Sequence, residues 1–289
     1  MTSAPATRSA PRTGRVLSVL GLAAVACAAA APPRRQTRPR AKPRARDGAA
    51  LLATSVLLDS ALEHFRGEFH RPAMFIAPAM AAATLAAALS PGGTPTFRRA
   101  IFGAAILTGL VGNWFHIRQV ARSPGGFNWE GVFYAAPIGA PGALTLAGLA
   151  GLGADATRRT PRRLAAFIAA GGLLATTAEI ALLHFRGAFH ERAMYAPVIL
   201  PPAAALALAQ AARNPTPGTK ARARSLLRAT AALGLVGTAF HARGIARQMG
   251  GWRNWSQNLQ SGPPLPAPPG LTGAALAGLA TIDLLEDAR

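Results

Sequence analysis

The sequence predicts an all-α integral membrane protein: about eight transmembrane helices, arranged as two tandem, parallel-oriented four-helix repeats behind a disordered basic N-terminal tail. Three observations predict it. Of 289 residues, 51% are hydrophobic and only 15% charged, against roughly 25% charged in soluble domains. Eight apolar runs of near-spanning length follow one another along the chain. The phrase HFRGEFH at 64–70 returns as HFRGAFH at 184–190.

The first element, residues 1–47, reads as a Pro/Arg-rich tail. It holds ten of the 31 Lys and Arg residues, around a short apolar stretch at 16–32. That stretch has the length of a signal-peptide core, but RRQTRPRAKPRAR follows at once, and exporting so many basic residues opposes the positive-inside rule. The tail is therefore expected on the cytoplasmic side of a bacterial inner membrane. The net charge of +20 sits in this tail and at the ends of apolar runs, as topology determinants do. A nucleic-acid partner is not expected from that distribution; the expected partner is the lipid bilayer. A single cysteine, Cys27, excludes an internal disulfide framework and a cysteine-based metal site.

The apolar runs lie near 48–65, 73–90, 100–118, 132–154, 163–185, 193–212, 225–243 and 268–285. Each approaches the ~20 residues that cross a bilayer as a helix. Pro78, Pro137, Pro141, Pro197, Pro201 and Pro202 predict kinks, and Gly148, Gly151 and Gly153 suit close helix contact. The first four runs (48–155) match the last four (162–285). HFRGEFHRPAM pairs with HFRGAFHERAM at an offset of 120, GLVGNWFHIRQVAR with GLVGTAFHARGIAR at 125, and GGFNW with GWRNW at 126. An even number of spans per copy makes this a parallel repeat.

One asymmetry is independent of orientation. All six histidines, all four tryptophans and both tyrosines fall at one membrane face, whereas an aromatic belt populates both interfaces. The basic tail makes this the outer, periplasmic face. His64, His116, His184 and His241 end the odd-numbered helices, where imidazoles at similar depth suit axial haem ligation or a multi-histidine metal centre. His70 and His190 sit in connections where Gly67 and Gly187 let the chain turn back toward the first histidine. Asp59 and Glu179, each five residues before a histidine, are intramembrane carboxylates and hence candidate ligands.

Arg66 and Arg186 recur beside the first histidine. Arg118 with Arg122, and Arg243 with Arg247, form i,i+4 pairs suited to a propionate, a phosphate or an anionic substrate. Asn113 and Thr238, one turn before His116 and His241, are positioned to orient those rings. Asn128, Asn254, Trp129 and Trp255 repeat in the loops that follow. Walker A, dinucleotide-binding, HExxH, GxSxG and c-type haem motifs are absent.

These residues point first to a redox-type membrane protein holding haem b or a non-haem ion (Fe, Mn or Zn). Two other expectations stand beside it. One is a carrier or receptor for an anionic or lipid-like ligand; the other is a structural subunit docking a periplasmic protein partner.

Overall fold

The computed structural model describes residues 21–30, 41–90, 92–155 and 161–286, and it is helical throughout. In chain order the helices are α1 (Gly21–Ala30), α2 (Ala41–Arg66), α3 (Ile76–Leu89), α4 (Pro95–Arg122), α5 (Trp129–Tyr134), α6 (Gly142–Ala154), α7 (Arg162–Arg186), α8 (Ala196–Arg213), α9 (Pro217–Ala246), α10 (Trp255–Ser261) and α11 (Ala267–Glu286). No strand occurs among the described residues. Local signals place the starts. Prolines open α4 and α9, where a missing N–H costs nothing, and the Thr216 hydroxyl accepts from the Thr219 amide at 3.2 Å.

Two groups of four helices result. In the first, α2 packs on α3, α3 on α4, α4 on α6 and α6 back on α2. In the second, α7, α8, α9 and α11 close a ring in the same order. The groups meet chiefly where α2 crosses α11, and more lightly where α6 meets α7. At the main crossing, a Cβ on Gly48 would lie 2.9 Å from the Gly273 carbonyl oxygen, and one on Gly273 would lie 2.9 Å from that of Gly48. Only a glycine at each position lets the backbones approach this closely. The interior is correspondingly rich in buried alanine, with Leu52, Leu173, Leu208, Leu227 and Ile282 between the helices.

Four helical stretches are long and apolar enough to cross a membrane: Pro72–Leu89, Pro95–Arg122, Arg162–Arg186 and Arg192–Arg213. The others depart from that standard for identifiable reasons. The apolar run of α2 carries Asp59, Glu63 and His64, and α9 carries Lys220, Arg222, Arg224 and Arg228. The segment expected at 132–154 is broken into the end of α5 and the 13 residues of α6, because Pro137 and Pro141 lie in the turn between them.

Several expectations need correcting. Helix α2 begins at Ala41, so residues 41–47 are not a disordered tail; Ala41 and Ala45 are buried there. The apolar stretch at 16–32 contributes α1, whose Val25 packs on the core; the remainder of the expected tail lies outside the described residues. Of the six prolines, only Pro201 and Pro202 lie within a helix interior. Pro78 and Pro197 occupy first turns, where proline is tolerated. Gly148 and Gly151 do press against α4, whereas Gly153 faces open space.

The end of the bundle opposite the histidines is tied by buried ion pairs. The Arg98 guanidinium grips Asp155 bidentately, both bonds at 2.9 Å, with the two side chains only 7% and 5% exposed. Arg224 likewise grips Asp283 at 2.9 Å and also Glu286. From α2, Arg46 reaches Asp155 at 3.3 Å and Arg44 pairs with Asp283. One helix is thereby pinned to the end of each group.

Burial raises the Asp155 carboxyl, but the Arg98 hydrogen bonds and the charges of Arg98 and Arg46 outweigh it and hold the group below its ordinary value. A carboxyl lowered by folding stabilises the fold above its unfolded value and loses that contribution as pH falls through its folded one. Asp155→Asn is therefore expected to lower the unfolding midpoint in detergent at neutral pH by several degrees. Asp47→Asn, at an exposed site, leaves it unchanged. The difference between wild type and Asp155→Asn narrows below about pH 4, as thermal unfolding followed by circular dichroism across pH will show.

Candidate functional site

Four helix ends carry the site: those of α2, α4, α7 and α9, with His64, His116, His184 and His241 half-buried near them. Each of these rings points its Nδ1 at a backbone carbonyl of the next connection. His64 pairs with Met74, and His184 with Met194 at 2.9 Å. His116 pairs with Pro137 at 2.6 Å and His241 with Pro264 at 2.7 Å. A carbonyl oxygen can only accept, so Nδ1 donates and the neutral ring keeps its lone pair on Nε2. The exposed His70 and His190 make the same kind of bond to the carbonyls of Gly67 and Gly187, both at 2.9 Å.

The turns after α2 and α7 differ from expectation. The residues in the left-handed region are Glu68 and Phe69 (φ 58° and 46°) and Ala188 and Phe189 (φ 55° and 46°), not Gly67 and Gly187. Two consecutive non-glycine residues in that region cost on the order of 1–3 kcal/mol each. Compensation comes from the amide of Phe69 donating to His64 O at 3.0 Å and from ring stacking. Phe69 lies 4.2 Å from Phe75, and Phe189 lies 4.6 Å from Tyr195. The second histidine of each heptapeptide is thus fixed by its own turn, to the glycine carbonyl three residues back.

The carboxylates and arginines have specific partners. Glu179 accepts the Gly139 amide at 3.0 Å through Oε2, while its Oε1 is buried with no hydrogen bond. It lies within electrostatic reach of His116 and of Asp59, just as His184 does of His241. Arg186 donates to the carbonyls of Val132 at 3.1 Å and Ala135 at 3.4 Å, and its guanidinium covers the Phe133 ring. Arg66 instead pairs with Glu63 at 2.6 Å. Arg118 rests over Trp114 at 5.0 Å, Arg122 and Arg247 are exposed, and Arg243 is half-buried.

The supporting residues are partly redistributed. Asn128 caps α5, accepting from the Gly131 amide at 2.6 Å, a helix-capping role that follows from its position. Asn254 stands at the cap of α10 without a side-chain bond. Thr238 spends its hydroxyl on Gly234 O within its own helix, and Asn113 Oδ1 has no hydrogen bond, so neither orients a histidine. Trp129 packs on Phe133 and Phe185 yet stays as exposed as Trp255.

Asn258, not singled out in the sequence, is buried and holds the loop by donating to Met249 O at 3.1 Å and Gly251 O at 2.8 Å. Asp155 and Asp283 were equally unmarked. The only signal for them was an acid at the end of an otherwise apolar run, 128 residues apart in the two groups.

Among the described residues, no three His, Cys, Asp or Glu side chains converge closely enough to hold a metal ion. The eight expected ligands are therefore distributed over helix ends and turns, not gathered in one centre. Compared with family models, curated proteins and solved structures, the chain matches none.

The bond from Gly139 to a carboxylate belongs to the stronger class, worth on the order of 1.5–3 kcal/mol. Glu179→Ala is expected to speed amide exchange at Gly139 by roughly tenfold or more. Exchange at the Thr219 amide, which is capped far from this turn, stays constant. Hydrogen–deuterium exchange of the full chain in detergent reads both.

Proposed function

We propose that this chain is an eight-span membrane protein made of a duplicated four-helix unit, and that its histidine-bearing, outer end forms a redox-type haem site. The N-terminus then lies in the cytoplasm of a bacterial cell. The observation that carries the reading is the common state of the four helix-end histidines, each with Nδ1–H committed to a carbonyl and Nε2 left as the donor. Histidines that bind metals are characteristically held this way, since the bond fixes tautomer and ring direction and raises ligand basicity.

A two-ligand iron suits this donor set better than a non-haem centre, which needs at least three converging groups. His184 and His241 are the preferred pair, and His64 and His116 are their counterparts in the first unit. Arg243 and Arg247, within two turns of His241, are the residues to meet propionates. The group would supply one-electron chemistry; the chain's own part is to hold the rings, neutralise the carboxylates and keep the site at one face of the bilayer. The duplication is supported by the same order of helix packing in both groups and by matched bonds at matched positions.

Full-length protein purified in mild detergent, without chelator and with haem supplied during expression, is expected to show a Soret band with about one iron per bound haem. His241→Ala should abolish the band, or convert it to a form that binds added imidazole, while changes at the exposed His70 leave it intact. Metal without a Soret band would support a non-haem ion instead. A colourless, metal-free preparation would sink the redox reading and favour the carrier or the docking subunit.

A further inference from the structure

The two groups of helices differ at one matched point. Pro141 packs against Gly112 as Pro268 packs against Gly237, which makes Gly139 of the first turn the counterpart of Pro266 in the second. Gly139 donates its amide to Glu179. Proline has no amide hydrogen, so Asp59, the counterpart of Glu179, cannot form the equivalent bond. Ser55 donates to Pro266 O at 2.8 Å in its place. Arg66, the counterpart of Arg186, turns to Glu63 and leaves the second loop untouched.

Where a buried carboxylate draws the first turn against α7, the second is held to α2 by the Ser55 bond. The result is a partly open cavity of about 220 Å³ between Thr54, Ser55 and Leu58 of α2, Thr238 of α9, and Leu265 and Pro266 of the turn. Its walls look polar in sequence and are not. The three hydroxyls are already spent, Thr54 on Ala50 O, Ser55 on Pro266 O and Thr238 on Gly234 O. With those hydrogens committed the lining is almost wholly apolar, too poor in polar partners for the two to four that a trapped water needs. Leu58 is 51% exposed on the flank of the cavity, so in a bilayer the opening faces hydrocarbon.

We propose that this cavity holds the hydrocarbon chain of a membrane amphiphile. The inference rests on the membrane-spanning part of the proposed function and is independent of haem. The volume accommodates a segment of chain, not a whole lipid. The first group provides the internal control, since Glu179 and Gly139 occupy the matching space there.

The test uses full-length protein in phosphatidylcholine nanodiscs, with a diazirine-bearing palmitic acid in one sample and a diazirine-bearing phosphatidylcholine in another. After photolysis, adducts are mapped by peptide mass spectrometry. An excess of adducts at Thr54–Leu58 and Leu265–Pro269, relative to the exposed Leu107 and Leu206, is expected, with no excess at the matched first-group residues 138–142. Thr54→Leu combined with Thr238→Leu should fill the space and remove the excess several-fold.

Excess from the free acid alone identifies a single-chain ligand; excess from both probes identifies lipid chains in general. Even labelling along all exposed helix faces, or an excess that survives the filling substitutions, overturns the proposal. If the double variant does not fold, the wild-type map decides alone. A colourless preparation with the expected map would remove haem and keep the chain site, whereas absence of any helix labelling would remove the membrane reading itself.

Discussion

Non-helical backbone at the ends of apolar helices is the constraint around which the rest is arranged. In hydrocarbon, or at its edge, a carbonyl outside a helix must find a donor or bear the desolvation cost. Each connection at the histidine-bearing end exposes such carbonyls: Met74, Pro137, Met194 and Pro264. A histidine at the end of the preceding long helix meets each one. The imidazole is suited to this role because it caps a carbonyl through one nitrogen and retains a lone pair on the other. Structural anchoring and the proposed ligand donation are therefore not competing roles for these rings; the first would orient the second.

The same economy of polar groups shapes the opposite end. Arg98 and Arg224 are buried charges, and buried charge is tolerated when it is paired. Asp155 pairs with the first, and Asp283 with Glu286 pairs with the second, whose Nε alone is left without a hydrogen bond; Arg44 and Arg46 of α2 extend each pair into a network joined to a shared helix. With Gly48 against Gly273 at the crossing of α2 and α11, this helix becomes the common member of both groups. A chain assembled from two similar units needs such an element, since nothing in the repeated motifs by itself prevents the units from separating.

Much of this was legible from residue pattern. Low charge, serial apolar runs and the 120-residue echo of the histidine heptapeptide lead to helices in two matched groups, and the confinement of histidine and tryptophan to one end survives in three dimensions. What pattern could not supply was partner choice. Nothing in HFRGEFH says that His64 will face Met74 O, or that the strained residues will be Glu68 and Phe69 in place of the adjacent glycine. Side-chain spacing likewise suggested Asn113 and Thr238 as supports for His116 and His241. Helix direction instead sends Thr238 back onto its own turn, and the loop prolines supply the carbonyls that orient the rings. The acids at the end opposite the histidines were missed because single carboxylates at helix ends carry no motif; only the arginines across the bundle make them meaningful.

The proposed duplication accounts for the resemblance of the halves, and the amide at Gly139 against the proline at 266 is where they part. With an amide hydrogen at Gly139, a carboxylate in α7 can draw the turn inward. With Pro266 at the matched place, the carboxylate in α2 has nothing to hold. Matched side chains differ along with it, Glu63 and Ser55 of α2 standing where α7 has Leu183 and Ala175. Asp59 has no counterpart bond, Arg66 folds back on its own helix, and the turn rests on a serine contact that leaves space beneath it. Two copies of one unit can in this way retain the same histidine scaffold and still diverge in what lies under it, one packed shut and the other able to admit a guest.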